Sequence, residues 1–166
     1  MTQIILKILN WIRVTFFEKD IIPVKPPVAP IAPVAPIPMP TPIIPSKTKL
    51  ELWIEAITTM EGAKPSRNNP GNLRFIGQKY AVNDNGFCKF DTLDHGKSAL
   101  SELLTNACTG KSSVYHPTMT LLEFQNKYSP ASDGNDPVHY AMVVADHIHT
   151  LYPEITIDTE IKYFII

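Results

Sequence analysis

Apolar residues fall on one face of a helix in the stretch that follows Ser46. Thr48 and Glu51 have the spacing of a capping box, a pattern that marks the start of a helix. The sequence therefore predicts a helix from about Lys49 to Glu61. Its apolar positions are Leu50, Trp53, Ile54, Ile57 and Met60.

The pattern then changes to two short strands and a second helix. The pattern predicts strands at residues 73–82 and 87–90, and the turn-forming residues 83–86 between them predict a hairpin. A helix is expected to start at Thr92 or Asp94 and to end near Gly110. Its predicted buried positions are Ala99, Leu100, Leu103, Leu104 and Ala107.

Two further helices are predicted in the last third of the chain. Thr120 and Glu123 form a second capping box, and the pair Asp136 and Pro137 is typical of the cap and first residue of a helix. The expected inward residues of the last helix are Met142, Ala145, Ile148 and Leu151. The order of a helix, a small antiparallel sheet and more helices predicts an α+β domain over residues 48–153.

The two ends of the chain differ from this domain. Residues 1–20 form an amphipathic, largely apolar segment whose apolar stretch, at about 1.5 Å per residue, is shorter than a bilayer core of about 30 Å. We expect an anchor helix that binds a membrane surface or virion proteins; a signal anchor and an ordinary packed helix are the alternatives. Residues 154–166 form an apolar tail, expected to be either an edge strand or an exposed end that meets a partner.

A proline-rich linker joins the predicted anchor to the domain. Ten of the sixteen prolines lie between Pro23 and Pro45, within the linker at 21–47. This composition excludes a helix and a central strand and predicts an extended polyproline spacer. Binding of a polyproline-recognition module is the alternative interpretation.

Charge and cysteine content exclude several classes of function. The net charge of −1 and the lack of a basic stripe give no indication of nucleic-acid binding. No metal or other cofactor is expected, because His147 and His149 are two residues apart on a predicted helix and point to different faces. Cys88 and Cys108 are either a disulfide or two free structural thiols.

The candidate chemistry lies at the end of the first helix. Glu61 follows Ile57 by four residues and so falls on the apolar face, where burial favours the protonated carboxyl group of a general acid. A turn-rich segment with amide and hydroxyl side chains comes next, at 62–72. The alternative is a helix C-cap with a solvated Glu61 and an ordinary turn.

Three groups of residues carry a family resemblance over roughly residues 50–150. The first is Met60-Glu61-Gly62 followed by Ser66-Arg67-Asn68-Asn69-Pro70-Gly71-Asn72-Leu73-Arg74; the second is Phe90-Asp91-Thr92 with Gly96 and Ala99-Leu100; the third is Tyr128-Ser129-Pro130 with Asp133, Asn135-Asp136-Pro137 and Tyr140. In this order the three groups resemble a phage and prophage family of muramidase-like, lytic-transglycosylase-type domains of the lysozyme superfamily.

The resemblance implies a lysozyme-like fold and cleavage of the β-1,4 bond between N-acetylmuramic acid and N-acetylglucosamine in peptidoglycan. Glu61 would be the catalytic acid. Hydrolases of this bond use a second carboxylate, for which Asp91 and Asp133 are candidates; the alternatives are that Asp91 caps the next helix and that Asp133 shapes the late loop. Candidate contacts to the glycan strand are Asn69, Asn72, Tyr128 and Tyr140, each of which has an internal structural role as its alternative. The expected location is the virion, or a membrane anchor facing the periplasm and cell wall.

Two other functions are compatible with the sequence. Cys88 and His95 would be the pair of a thiol hydrolase, although a predicted strand gives Cys88 no helix terminus to lower its pKa. A non-catalytic virion or wall-binding protein with the same fold is the second alternative.

Overall fold

The computed structural model describes residues 45–62 and 65–165. The predicted anchor segment, and the linker up to residue 44, lie outside the described residues. Within them, four α-helices and one two-stranded antiparallel sheet confirm the α+β class. In chain order the elements are α1 (Lys49–Glu61), β1 (Ala81–Asp84), β2 (Phe87–Phe90), α2 (Leu93–Thr109), α3 (Leu121–Tyr128) and α4 (Pro137–His149).

The start and end of α1 follow from local chemistry. Thr48 and Glu51 form the predicted capping box, in which each side chain accepts a hydrogen bond from the other residue's backbone N–H. Gly62 ends the helix in the left-handed conformation at φ 54°, which glycine adopts without strain. The helix therefore stops directly after Glu61 and fixes where that carboxyl group can reach.

The sheet is shorter than predicted. Its register runs from Ala81 opposite Phe90 to Asp84 opposite Phe87. The strand expected at 73–82 forms only from Ala81 onward, because left-handed residues at Gly77 (φ 93°) and Tyr80 (φ 62°) interrupt extended backbone. Residues 73–80 are instead a loop, with one isolated bridge at Arg74.

The core is built around Trp53 of α1. Its ring meets Phe124 of α3 edge to face at 4.9 Å between centroids, and it meets Phe164 at 4.7 Å. α1 and α3 both pack on α4, whose buried residues are Pro137, Ala141, Val144, Ala145 and Ile148. The helices thus enclose one aromatic centre, and α1 is held rigidly against it.

Two of the residues assigned to the last helix from the sequence were wrongly predicted to point inward. Met142 is 51% exposed, because it lies beside the buried row and not on it. Leu151 is exposed as well, since the helix has already ended at His149. Ala145 and Ile148 are buried as expected.

The C-terminal segment completes the core. Ile155, Ile161 and Phe164 are buried, and Ile161–Phe164 forms a short 3-10 helix against α2. The Ile161 backbone N–H donates to the Met119 carbonyl at 2.8 Å. The expectation of an exposed end or an edge strand is therefore wrong: the tail belongs to the folded domain and makes only a single bridge, at Glu160.

The two cysteines are buried free thiols. Burial raises the pKa of both, that of Cys108 to about 12. Of the two alternatives for this pair, the structure has the free structural thiols. In the described part of the chain, no helix is long and apolar enough to span a membrane.

Candidate functional site

A cleft of about 420 Å³ lies where the end of α1, the loop after it and the end of α3 meet. Its walls come from segments far apart in sequence, so only the folded chain assembles it. The lining residues that carry polar or charged groups are Glu61, Asn72, Arg74, Gln78, Tyr115, Lys127, Tyr128, Ser129, Asp133 and Asn135. Apolar residues between them include Leu73, Ile76, Phe87, Leu103 and Val114.

Glu61 has the environment expected of a general acid. Its side chain is half-buried at the last position of α1. Burial raises its pKa above the ordinary value, and a polar contact from the Asn72 side chain opposes part of that rise. The carboxyl group therefore keeps its proton to a higher pH than a solvated glutamate, as proton donation to a leaving group requires.

The loop opposite Glu61 is held in an unusual backbone conformation. Asn68 (φ 50°) and Asn72 (φ 48°) are both left-handed, a region that asparagine tolerates better than most residues. A Cβ atom at Gly96 would lie 1.9 Å from the Asn68 carbonyl oxygen, so the first turn of α2 touches the loop backbone. The loop is thereby fixed in place, with the exposed side chain of Asn72 at the cleft.

Asn69 has a structural role and does not line the cleft. It is only 2% exposed, and its amide donates to the carbonyls of Leu73 and Cys88, both at 3.0 Å. Its Oδ1 accepts from the Leu73 N–H at 2.8 Å. These bonds use both the nitrogen and the oxygen of the Asn69 amide. Asn69 therefore links the loop to the sheet and does not make the expected contact with a sugar.

The two predicted tyrosines differ in position. Tyr128 lines the cleft, and its hydroxyl donates to the Gly71 carbonyl at 2.5 Å. Burial, and next the charge of Glu61, raises the pKa of Tyr128 well above its usual range. The same two causes raise the pKa of Tyr140, which places it near Glu61 although it is not among the lining residues.

Only one of the two candidate second acids is at the cleft. Asp133 lines it and forms a 2.9 Å ion pair with Arg74. Asp91 lies outside, where its carboxylate accepts from the Thr92 N–H at 2.8 Å and sits 2.5 Å from His95 Nδ1. Asp91 thus orders the start of α2, as a helix-terminal carboxylate commonly does.

The thiol-hydrolase alternative is contradicted by the positions of its two residues. Cys88 is fully buried, and burial raises its pKa, which disfavours the reactive thiolate. His95 is engaged with Asp91 and stacks on Tyr80 at 4.0 Å between ring centroids. These two side chains therefore do not form a nucleophile and base.

Several cleft residues were not predicted from the sequence. Arg74 lies with its guanidinium 4.5 Å from the centroid of the Phe87 ring. Lys127 projects from the last turn of α3, directly before Tyr128. Arg74 is the last residue of the first motif, where no role was predicted for it, and Lys127 adjoins the predicted Tyr128. Position in or beside a motif is therefore the only sequence signal for either residue.

Over residues 45–62 and 65–165, no group of three or more His, Cys, Asp or Glu side chains is placed to hold a metal ion.

Comparison of the chain with protein-family models, with curated protein sequences and with solved structures gives no match.

Proposed function

We propose that this protein degrades peptidoglycan by cleaving the β-1,4 bond between N-acetylmuramic acid and N-acetylglucosamine, as a muramidase or lytic transglycosylase. The observation that carries the proposal is a half-buried Glu61, with a raised pKa, in the wall of an open cleft. The motif resemblance supports the same activity, and we propose a lysozyme-like fold on the same basis.

Glu61 acts first as general acid. It donates its proton to the glycosidic oxygen as the bond from that oxygen to the muramic acid C1 breaks, which leaves an oxocarbenium-like sugar and a free hydroxyl on the departing N-acetylglucosamine. The carboxylate that remains then acts as base. It takes a proton from the attacking group and returns to its starting form.

The attacking group is either water or a hydroxyl of the same sugar. Water gives a hydrolysed, reducing end, whereas the internal hydroxyl gives an anhydro ring and consumes no water. A second carboxylate near the sugar would favour the hydrolytic route. Asp133, which lines the cleft and forms an ion pair with Arg74, is the candidate for it.

The neighbouring polar side chains orient the strand. Asn72 presents an amide for the acetamido and hydroxyl groups of the sugars. Tyr128, whose half-buried ring stacks on Phe124, is the candidate aromatic contact in the same cleft. Tyr140, whose pKa is raised by burial and by the charge of Glu61, is a further candidate contact to the sugar, although it does not line the cleft.

We further propose that residues 1–20 attach the enzyme to a membrane surface or to virion proteins, and that residues 21–47 space it from that attachment. This places the enzyme in the virion or on a membrane facing the cell wall, where it would serve in phage entry or lysis.

Digestion of purified peptidoglycan by the full chain, with mass spectrometry of the soluble products, tests the activity. Disaccharide-peptides are expected, and a mass difference of one water separates anhydro from reducing ends. Asp133→Asn should slow a hydrolytic enzyme strongly, and the matched Asp91→Asn should leave its rate unchanged. Binding to the wall without soluble products would instead support a non-catalytic wall-binding protein.

A further inference from the structure

The cleft is lined by two cationic side chains, and only one of them has a carboxylate partner. Arg74 and Lys127 both line the cleft, and Arg74 is paired with Asp133. Lys127 is exposed and forms no ion pair with any residue in the described ranges 45–62 and 65–165. A ligand that brings a negative group into the cleft next to Lys127 would therefore meet a cation that no carboxylate neutralises.

Arg74 is oriented and still available to a ligand. Its guanidinium is held by the Phe87 ring at 4.5 Å and by one N–H bond to Asp133 Oδ2 at 2.9 Å. The side chain is nevertheless 63% exposed. A guanidinium has five N–H donors in a rigid plane, so most of them stay free to bind a carboxylate in the cleft.

We propose that Arg74 and Lys127 form a carboxylate-binding subsite, and that the ligand is a carboxylate carried on the lactyl side chain of muramic acid. This inference rests on the proposed peptidoglycan substrate. Sugars of the glycan backbone are uncharged, and the negative groups of a peptidoglycan strand lie on that side chain: the lactyl carboxylate itself where no peptide is attached, and the stem-peptide carboxylates where one is. The subsite would make the enzyme prefer muramic acid-containing strands to neutral chitin oligosaccharides.

Asp133 serves this subsite as a positioning residue. Its 2.9 Å ion pair restrains the Arg74 guanidinium at the cleft, which reduces the entropy lost when the ligand arrives. Lys127 supplies the second charge from the last turn of α3. Since both cations are partly exposed, added salt should weaken the contribution of the subsite.

Binding measurements on the full-length Glu61→Gln protein, which avoid turnover, test the proposal. Three ligands are compared by calorimetry: a peptide-bearing peptidoglycan tetrasaccharide, the same strand after an amidase has removed its peptides, and chitotetraose. Lys127→Gln and Arg74→Gln are introduced separately, and Lys111→Gln, an exposed lysine outside the cleft, is the matched control.

Carboxylate-bearing ligands should bind more tightly than chitotetraose, and Lys127→Gln should reduce that advantage about tenfold, as loss of one charge-assisted contact implies. Lys127→Gln should not change the affinity for chitotetraose, and the Lys111→Gln control should not change the affinity for any of the three ligands. Tight binding of the peptide-free strand identifies the lactyl carboxylate, whereas binding of the peptide-bearing strand alone identifies the stem peptide.

The proposed subsite is contradicted if chitotetraose binds as tightly as the charged strands. It is also contradicted if Lys127→Gln reduces the affinity for all three ligands by the same factor. Because Lys127 makes no ion pair among the described residues, its replacement tests the subsite even if Arg74→Gln disturbs the fold. The two proposals fail separately: cleavage by the native enzyme without a charge preference removes only the subsite, and a charge preference without any cleavage removes only the enzymatic activity.

Discussion

The Tyr128 hydroxyl donates a 2.5 Å hydrogen bond to the carbonyl of Gly71, across 57 residues of sequence. This bond joins the end of α3 to the loop that presents Asn72 at the cleft. A Cβ atom at Gly71 would lie 2.9 Å from the same hydroxyl oxygen, so the contact depends on glycine at that position. The two walls of the cleft are thereby held together next to Glu61.

Tyr128→Phe should remove this bond and little else. We expect the free energy of unfolding to fall by about 1–3 kcal/mol, because the buried Gly71 carbonyl loses its partner. Tyr115→Phe is the matched control, since Tyr115 lines the same cleft and its hydroxyl has no hydrogen-bond partner among the described residues. Denaturant unfolding measures both; equal losses would show that the Gly71 bond contributes nothing.

Asn72 should set the pH range of activity through its contact with Glu61. That contact lowers the pKa of Glu61, so its removal should raise the pKa further. Because the general acid must be protonated, activity falls as pH rises through this pKa, and the variant should stay active to a higher pH.

The variants Asn72→Gly and Asn72→Ala separate this effect from backbone strain. Both remove the amide and should show the same shift of the alkaline limb in a pH profile of wall digestion. Only Asn72→Ala places a less tolerant residue at φ 48°, which should cost about 1 kcal/mol of stability. An unshifted alkaline limb in both variants would contradict the contact.

Asn69→Ala should destabilise the domain strongly. The change removes the partner of the buried Leu73 N–H and one donor to each of the carbonyls of Leu73 and Cys88, although the Leu73 carbonyl still accepts from the Cys88 N–H. We expect a loss of about 1–3 kcal/mol for each group left unsatisfied. Asn126→Ala, which removes an exposed amide bonded to the Leu122 carbonyl, is the control and should change stability by less than about 0.5 kcal/mol. Thermal unfolding followed by circular dichroism distinguishes the two.

Phe164→Ala tests whether the C-terminal segment belongs to the core. Removal of this buried ring, which packs on Trp53, should cost about 3–5 kcal/mol. Tyr163→Ala, one residue earlier and 47% exposed, should cost far less. If the two variants unfold at the same denaturant concentration, the tail is not part of the folded domain.

The element order and the position of Glu61 at the end of α1 could be predicted because both depend on local patterns. The capping box at Thr48 and the helical period set the register of α1, and that register brings Glu61 to the inner face at the helix end. The same reasoning located α2, α3 and α4, since their caps at Thr92, Thr120 and Asp136 are readable from sequence.

The different roles of Asn69 and Asn72 within the loop could not be predicted. Asn69 and Asn72 are three residues apart and chemically identical, yet the left-handed turn at Asn72 sends one amide into the core and the other to the cleft. The contact of Arg74 with Asp133 joins residues 59 positions apart, which no periodicity reveals. The burial of Phe164 likewise depends on tertiary packing against Trp53.

Glu61→Gln provides the decisive comparison, because the amide has nearly the shape of the acid and cannot donate the catalytic proton. Its fold can be checked first. Burial raises the pKa of Glu61 above its ordinary value of 4.5, so the native state holds that proton more tightly than the unfolded state. The protonated Glu61 therefore stabilises the native state fully at pH values below its ordinary pKa, and this contribution is lost as pH rises through its higher pKa in the folded state. Near neutral pH, the Glu61→Gln variant should therefore have a melting temperature no lower than that of the native protein.

The measurement itself is the initial rate of soluble product release from purified peptidoglycan by the native protein and by Glu61→Gln, at equal concentration and with matching circular dichroism spectra. The rate should fall by about 10²–10⁴-fold, the usual contribution of a positioned general acid. A folded Glu61→Gln protein that releases product at the native rate would contradict the assignment of Glu61 as the catalytic acid.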